Sequence, residues 1–309
     1  MKIISTFLLI IFFQLQGFTQ NVSNVPFLNG HYFIPVSVSP GPFIKSYFTT
    51  NLGIAQSSDF ENVILEIDGE KIIGLKGKLL FADLDFEYQQ KIKDWIALYI
   101  NYGLTARLGT ELQSFLTQGV NTVSTFRIGW LVKIVESDKL MLSGNIQVNS
   151  HSATFISVSE FVNDLVMNDT ITSISRRVPM LNMNGGLRFA YGINKVFGFQ
   201  GYADLGYGDS YKRGKSDLIY RLGGAFDANL SMTTKIPLGF SYFFIASALP
   251  DFVHVAGKSA LNTGFKISYA AAPHFNIGLE ISSLVTPVPN VDEKVKSIST
   301  FISSKYYFN

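Results

Sequence analysis

Strict alternation of apolar and polar residues recurs along most of this chain, and it constrains the fold more than any other feature. In FNIGLEISSL (275–284) the odd positions as far as 281 are apolar, and the even positions between them are polar or glycine. FRIGWLVKI (126–134) and LLFADLDFEY (79–88) repeat the pattern with apolar even positions. A period of two predicts strands that have one apolar and one polar face.

Applied to the whole chain, this pattern predicts about 12 strands, an even number as in bacterial single-chain barrels. Their expected bounds are 45–55, 78–88, 95–107, 120–134, 139–148, 180–191, 196–207, 218–230, 236–246, 259–270, 275–284 and 297–308.

Composition indicates where the apolar faces lie. Hydrophobic residues make up 47% of the chain and charged residues only 16%, against about 25% charged in an average soluble domain. After the N-terminus there is no further apolar run near the roughly 20 residues that a transmembrane helix needs. Since only helices and closed barrels can span a bilayer, we predict an all-β, transmembrane, antiparallel up-and-down β-barrel over 44–309.

The links between the predicted strands alternate in length. Segments 89–94, 135–138, 192–195, 231–235 and 271–274 are short, whereas the links between them are intermediate or long. Outer-membrane barrels have short periplasmic turns and long outer loops, so both ends of the predicted barrel fall on the periplasmic side. A β-sandwich also has alternating strands, but it gives no reason for this alternation of links.

Aromatic residues collect beside the short links, as expected of the girdles at a membrane interface. This set comprises Tyr88, Trp95, Tyr191, Phe197, Tyr269, Phe275, Tyr306 and Phe308.

The last strand carries a class-level resemblance. FISSKYYF, residues 301–308, resembles the C-terminal strand of Gram-negative outer-membrane β-barrel proteins, in which a final aromatic follows alternating hydrophobic positions. Phe308, Tyr306, Ile302 and Ile298 match that spacing, whereas Asn309 departs from it because the class usually ends on the aromatic. The resemblance implies recognition by the barrel-assembly machinery and residence in the outer membrane among lipid and lipopolysaccharide, and it singles out no transporter family.

The N-terminus is predicted to be removed. Residues 1–20 combine Lys2, an apolar stretch from Phe7 to Phe13 and a short polar segment, which is the layout of a secretory signal peptide. Residues 21–43 are rich in Pro and Gly and are expected either to cross the periplasmic mouth or to enter the lumen as a small plug; a flexible lead-in is the alternative.

Three segments within the predicted loops depart from plain strand. Apolar residues at helical spacing predict short helices in 156–167 and 110–119, as a lid or as helices on the rim. VILEIDGEKIIGL (63–75) predicts a hairpin that turns at Asp68-Gly69. This hairpin extends two strands beyond the membrane or raises the strand count to 14.

Polar residues inside a barrel decide what passes, so the charges of inward parity are the candidate selectivity residues. They either form an eyelet or pair across a filled interior that they hold shut. The candidates are Arg127, Arg188, Arg221, Lys266, Asp83, Asp85, Glu87, Asp204, Asp227 and Glu280.

Other chemistries have little support in the sequence. His151 has serine neighbours, but the His-x-Ser strand spacing of outer-membrane phospholipases, which have a similar layout, is absent, and we predict no enzyme. The chain has no cysteine, and no metal or cofactor is expected. The net charge of +2 argues against a nucleic-acid partner.

These features predict an outer-membrane channel or diffusion-type transporter for small solutes. Two alternatives remain open: a hydrophobic-compound transporter with a plugged lumen, and a non-conducting structural or surface-recognition barrel.

Overall fold

Twelve strands close into one barrel in the computed structural model, which confirms the predicted fold class. The structure describes residues 39–308 apart from 59, 68–69, 109–118, 157–174, 210–215, 248–259, 273 and 288–293. The predicted signal peptide lies outside these residues. Of the two predicted loop helices, 156–167 and 110–119, only residues 156 and 119 are described. The strands are β1 (Ser46–Ser57), β2 (Phe60–Ile67), β3 (Glu70–Gly77), β4 (Leu80–Lys93), β5 (Ile96–Leu108), β6 (Gly119–Glu136), β7 (Leu140–Ile156), β8 (Ser175–Gly192), β9 (Phe197–Asp209), β10 (Ser216–Asn229), β11 (Leu238–Ser247), β12 (Ala260–Tyr269), β13 (Phe275–Pro287) and β14 (Lys294–Phe308).

Closure joins the first strand to the last. β1 pairs with β14 from Ser46↔Phe308 to Ser57↔Ser297, and on its other side it pairs with β4. Each remaining barrel strand pairs antiparallel with its neighbours in the chain. The C-terminal strand is therefore fixed by backbone pairing with β1 and β13, which explains why its alternation continues almost to the end of the chain.

The predicted hairpin is present, and it lies outside the barrel. β2 and β3 form a separate two-stranded sheet with Ile67 opposite Glu70. The barrel therefore has 12 strands, and the alternative count of 14 is wrong. β1 pairs directly with β4, and the hairpin is part of the connection between them.

The links at one end of the barrel are mostly short. β4 and β5 are joined by Asp94 and Trp95 alone, where Lys91 Nζ lies 2.5 Å from an Asp94 carboxylate oxygen. The ammonium of Lys91 lowers the pKa of this carboxyl. The link between β10 and β11 is longer than the sequence predicted because it contains a 3-10 turn, Leu230–Met232, capped by the Asn229 side chain. We call the end of the barrel that carries these links the short-turn end, and the opposite end the long-loop end.

The outer face of the barrel is apolar. Outward side chains such as Leu218, Tyr207 and Ile298 are more than 60% exposed. Inward polar side chains are the buried ones: Gln89, Ser143 and Asn276 are 0% exposed. A soluble domain has the opposite distribution, so this surface suits lipid. No helix among the described residues has the length and hydropathy of a membrane span.

Inward glycines make room for inward aromatic rings. Tyr99 lies opposite Gly129, and Tyr202 lies opposite Gly223. A Cβ at either glycine would collide with the facing tyrosine ring. Pairing an aromatic with a cross-strand glycine is a known way to fill the space above that glycine, and here it lays the two rings along the inner wall.

Candidate functional site

The chain just before β1 lies inside the barrel at the short-turn end. We call residues 39–45 the plug segment. The Gln89 amide donates to the carbonyl oxygens of Phe43 (2.7 Å) and Lys45 (2.8 Å), and the Ser143 hydroxyl donates to that of Pro42 (2.7 Å). These bonds tie the backbone of the plug segment to two strands of the barrel wall, and the Phe43 carbonyl also accepts from the Lys45 N–H at 3.1 Å.

Apolar contacts hold the same segment. Phe43 and Ile44 are 7% and 5% exposed and belong to one buried cluster with inward residues of the barrel wall. The other members are Ala97, Tyr99, Leu131, Met141, Ala190 and Ala270. Residues 39–45 lie in the lumen, whereas residues 21–38 of the predicted lead-in lie outside the described part of the chain.

The described residues enclose two cavities in the lumen between the plug segment and the long-loop end. The inner cavity, about 270 Å³, is bordered by plug residues Ser39, Pro40 and Gly41. The outer cavity, about 290 Å³, lies farther from the plug and is bordered by residues such as Asp83, Thr105 and Val123. Asp85, Asn101, Arg127 and Arg221 border both cavities, so the two adjoin.

The predicted selectivity residues divide between these cavities and the wall beside them. The inner cavity is lined by Asp85, Glu87, Arg127, Arg221, Lys266 and Glu280. Asp83 lines the outer cavity. The remaining three, Arg188, Asp204 and Asp227, are buried side chains that border neither cavity.

A single cross-strand row brings both signs of charge to the inner cavity. Lys305 is opposite Thr49, which is opposite Glu87, and Glu87 is opposite Asn101, which is opposite Arg127. We call these five residues the charge row. All five line the inner cavity. One carboxylate therefore lies between two cations, and a small neutral residue separates it from each.

Neutral donors hold the acidic side chains on the lumen wall. Asp85 accepts hydrogen bonds from the amides of Asn51 (3.2 Å) and Asn101 (2.8 Å). Asp83 accepts from the Thr105 hydroxyl at 2.5 Å. Carboxylates held in this way are oriented without being neutralised, so their charge still acts on the cavity.

Tyrosine rings support several of the cations. The Arg188 guanidinium lies 4.7 Å from the centre of the Tyr99 ring, and Lys305 Nζ lies 3.9 Å from that of Tyr47. Arg221 lies 5.3 Å from the Tyr202 ring. These three tyrosines are not among the site residues predicted from the sequence. Their signal was available, because each has the inward parity that polar residues otherwise occupy on its strand.

His151 is on the lumen side of β7. Its Nδ1 lies 3.2 Å from the Thr125 hydroxyl, and it borders the outer cavity. Ser150 and Ser152 have the opposite parity on this strand, and Ser152 accepts a hydrogen bond from Arg177. The histidine and the two serines thus lie on different faces of the barrel wall. Among the described residues no group of three His, Asp or Glu side chains could hold a metal ion.

The aromatics predicted for the membrane interface lie at or near the short-turn end. Tyr88, Trp95, Tyr191, Phe197 and Tyr306 are exposed on the outer surface, and Tyr269, Phe275 and Phe308 are half-buried. Tyr88 stacks on Phe308 with 5.9 Å between ring centres, across the closure of the barrel.

Comparison with known proteins gives a likeness at the level of the fold. No protein-family model and no curated protein sequence matches the chain. The translocator domain of the autotransporter NalP from Neisseria meningitidis is 9% identical, with a TM-score of 0.48 over 89% of this chain and 91% of that one. The NanC porin is 10% identical, with a TM-score of 0.46 over 83% and 100%. The toluene transporter TodX of Pseudomonas putida is 10% identical, with a TM-score of 0.45 over 93% and 100%.

Proposed function

We propose that the protein is an outer-membrane channel for small polar solutes, which diffuse through the lumen when the plug segment leaves its docked position at the short-turn end. The observation that carries this proposal is the polar inner cavity inside a closed barrel, lined by charges of both signs. Polar lining residues and pore width are what set selectivity in channels.

The lining favours polar over hydrophobic solutes. Of the residues around the inner cavity, seven are charged: Asp85, Glu87, Arg127, Arg221, Lys266, Glu280 and Lys305. An apolar molecule would have to displace water from these groups and gain no hydrogen bond in return. The strands that carry the charge row are also paired to one another without interruption at that level, so the wall there offers no lateral path.

In this proposal the outer face contacts membrane lipid and, near the long-loop end, lipopolysaccharide. The short-turn end faces the periplasm. A plug on that side would keep the lumen open to solutes from outside while preventing free leakage into the cell envelope.

The test is single-channel recording of the refolded mature protein in a planar bilayer. Cations outnumber carboxylates around the inner cavity, so we expect discrete current steps with weak anion preference. Changing Arg127 and Arg221 together to Glu should reverse the sign of the zero-current potential in a salt gradient, because the lumen then carries an excess of negative charge. The exposed Arg177 changed to Glu is the matched control and should leave the preference unchanged.

The current steps and the zero-current potential are measured in the intact chain and in a variant with a weakened plug segment. A closed plug segment then cannot hide the ion selectivity of the lumen. A folded barrel that stays silent in both backgrounds would contradict the proposal. It would favour the structural or surface-recognition alternative.

The C-terminal strand supplies a second prediction, about assembly. Tyr306→Ser combined with Phe308→Ser should lower the amount of folded, heat-modifiable barrel in the outer membrane, because these residues match the pattern that the assembly machinery recognises. They also stack on each other, with 6.3 Å between ring centres, and removing them weakens the closure seam. Refolding into pure lipid vesicles separates the two causes: a loss confined to cells indicates recognition, whereas an equal loss in vesicles indicates the seam alone.

A further inference from the structure

We propose that the inner cavity binds small zwitterions, meaning solutes that carry one ammonium and one carboxylate group, such as free amino acids. This inference rests on the proposed function, since the solute has to reach the lumen from the long-loop end. It goes further by naming the class of solute and the residues that select it.

The charge row provides both halves of the recognition. Adjacent strands are 4.7–4.9 Å apart, so the backbone of Glu87 lies roughly 9.5 Å from that of Arg127 and equally far from that of Lys305. Long side chains that project from this wall into a narrow lumen can converge on one small solute. The ammonium of the solute then pairs with Glu87, and its carboxylate pairs with Arg127 or Lys305.

Neighbouring side chains orient these groups toward such a ligand. The Tyr47 hydroxyl donates to Oε1 of Glu87 at 2.5 Å, and the ring of the same tyrosine lies 3.9 Å from Lys305 Nζ. Arg127 donates from Nε to Asn149 at 3.0 Å. The guanidinium has five N–H donors in a fixed fork, so four remain for the carboxylate of a ligand or for water.

Ions of a single charge fit this cavity less well. A simple anion that approaches Arg127 also approaches Glu87 and Asp85, and a simple cation that approaches Glu87 is repelled by both ends of the charge row. In a zwitterion, the ammonium group can pair with Glu87 while the carboxylate group pairs with Arg127 or Lys305, so each charge of the solute has an oppositely charged partner. The volume of about 270 Å³ lies just below the range of pockets for drug-sized ligands, which limits the solute to the size of an amino acid or a very short peptide.

The experiment measures binding by saturation-transfer difference NMR, with the full mature chain folded in detergent. The probes are alanine, propionate and isopropylamine, which have similar size and differ in charge. Alanine should receive the strongest saturation transfer. Glu87→Gln or Arg127→Gln should weaken alanine binding about tenfold, the effect of losing one charge-assisted hydrogen bond.

Two matched variants control for loss of charge. Glu136→Gln removes a carboxylate that pairs with Lys133 near the short-turn end, and Arg177→Gln removes an exposed guanidinium on β8. Neither residue borders the inner cavity, so both variants should bind alanine like the unmodified chain. Glu87→Gln keeps an amide oxygen that can accept the Tyr47 hydrogen bond, and heat modifiability in gel electrophoresis verifies that each barrel is folded.

The outcomes separate this inference from the proposed function. Equal saturation of alanine and propionate would overturn the zwitterion assignment in favour of an anion site, and absence of any binding would overturn it outright. Alanine binding that is insensitive to Glu87→Gln and Arg127→Gln would also overturn it. If alanine binds as expected to a barrel that never conducts, the site stands and the channel proposal fails.

Discussion

Replacing Phe43 and Ile44 together with serine is expected to shift the plug segment from the docked toward the released state by roughly 100-fold or more. Burial of one such apolar side chain contributes about 1.5–3 kcal/mol, and each 1.4 kcal/mol is tenfold in an equilibrium. The backbone hydrogen bonds from Gln89 and Ser143 remain, but water can replace them once the apolar contacts are lost. In planar bilayers the variant should open far more often than the intact chain.

A second readout reports the position of the plug segment itself. The chain contains no cysteine, so Ser39→Cys introduces a single thiol at a position that is 8% exposed. Its rate of reaction with a polar maleimide should rise in the serine double variant, because release exposes residue 39 to solvent. The matched control is Ile193→Ser with Ile236→Ser, which removes two exposed apolar side chains from links at the same end of the barrel.

The two readouts together decide the role of the plug segment. If the thiol reacts no faster in the double variant, the apolar contacts are not what holds the segment in place. If the thiol reacts faster but the current does not change, the segment is released without being the barrier to conduction.

The fold was predictable from the sequence because apolar and polar residues alternate with a period of two along each strand of the barrel wall. Each residue has either lipid or the lumen as its environment, so parity alone assigns the face. Parity also predicted that Asp85 and Arg127 face the lumen, where both border the cavities, but it did not distinguish them from Arg188, which borders neither. It needed no knowledge of which strands are neighbours.

The alternation of apolar and polar residues stops where the outward positions of a strand are no longer apolar, although the strand itself continues. β7 was expected to stop at residue 148, yet it continues to Ile156. Beyond Val148 the outward positions are Ser150, Ser152 and Thr154. The outward face is therefore no longer apolar, and the alternation used to predict the strand is lost although the backbone ladder with β8 continues as far as Ile156↔Ser175. Hydropathy therefore reports the membrane-facing part of a strand and underestimates its length.

The interior of the barrel was less predictable, because it depends on three-dimensional neighbours. The sequence left open whether residues 21–43 enter the lumen, since only the folded wall provides the pocket that receives Phe43 and Ile44. The cation–tyrosine contacts join residues far apart in the chain, such as Arg188 and Tyr99. Strand register, which parity does not give, is what brings Glu87 between Lys305 and Arg127.

Leu279→Arg is expected to destabilise the barrel by about 2–4 kcal/mol, the cost of an arginine on the lipid face at the bilayer midplane. Leu279 is 48% exposed on the outer surface, and its cross-strand neighbours Ile267 and Ile302 are equally apolar and exposed. The free energy of unfolding is measured by denaturant titration in lipid vesicles, with the fluorescence of the two tryptophans as the signal.

Leu238→Arg is the matched control, because Leu238 is also outward-facing but begins β11 at the short-turn end. There the charge can reach the headgroups, and the cost should fall to about 0–1 kcal/mol. Equal costs at the two positions would contradict a membrane-embedded wall, since a barrel in water has no depth dependence. A large difference would place residue 279 in the hydrocarbon layer and the short turns at the interface, which is the orientation that the channel proposal requires.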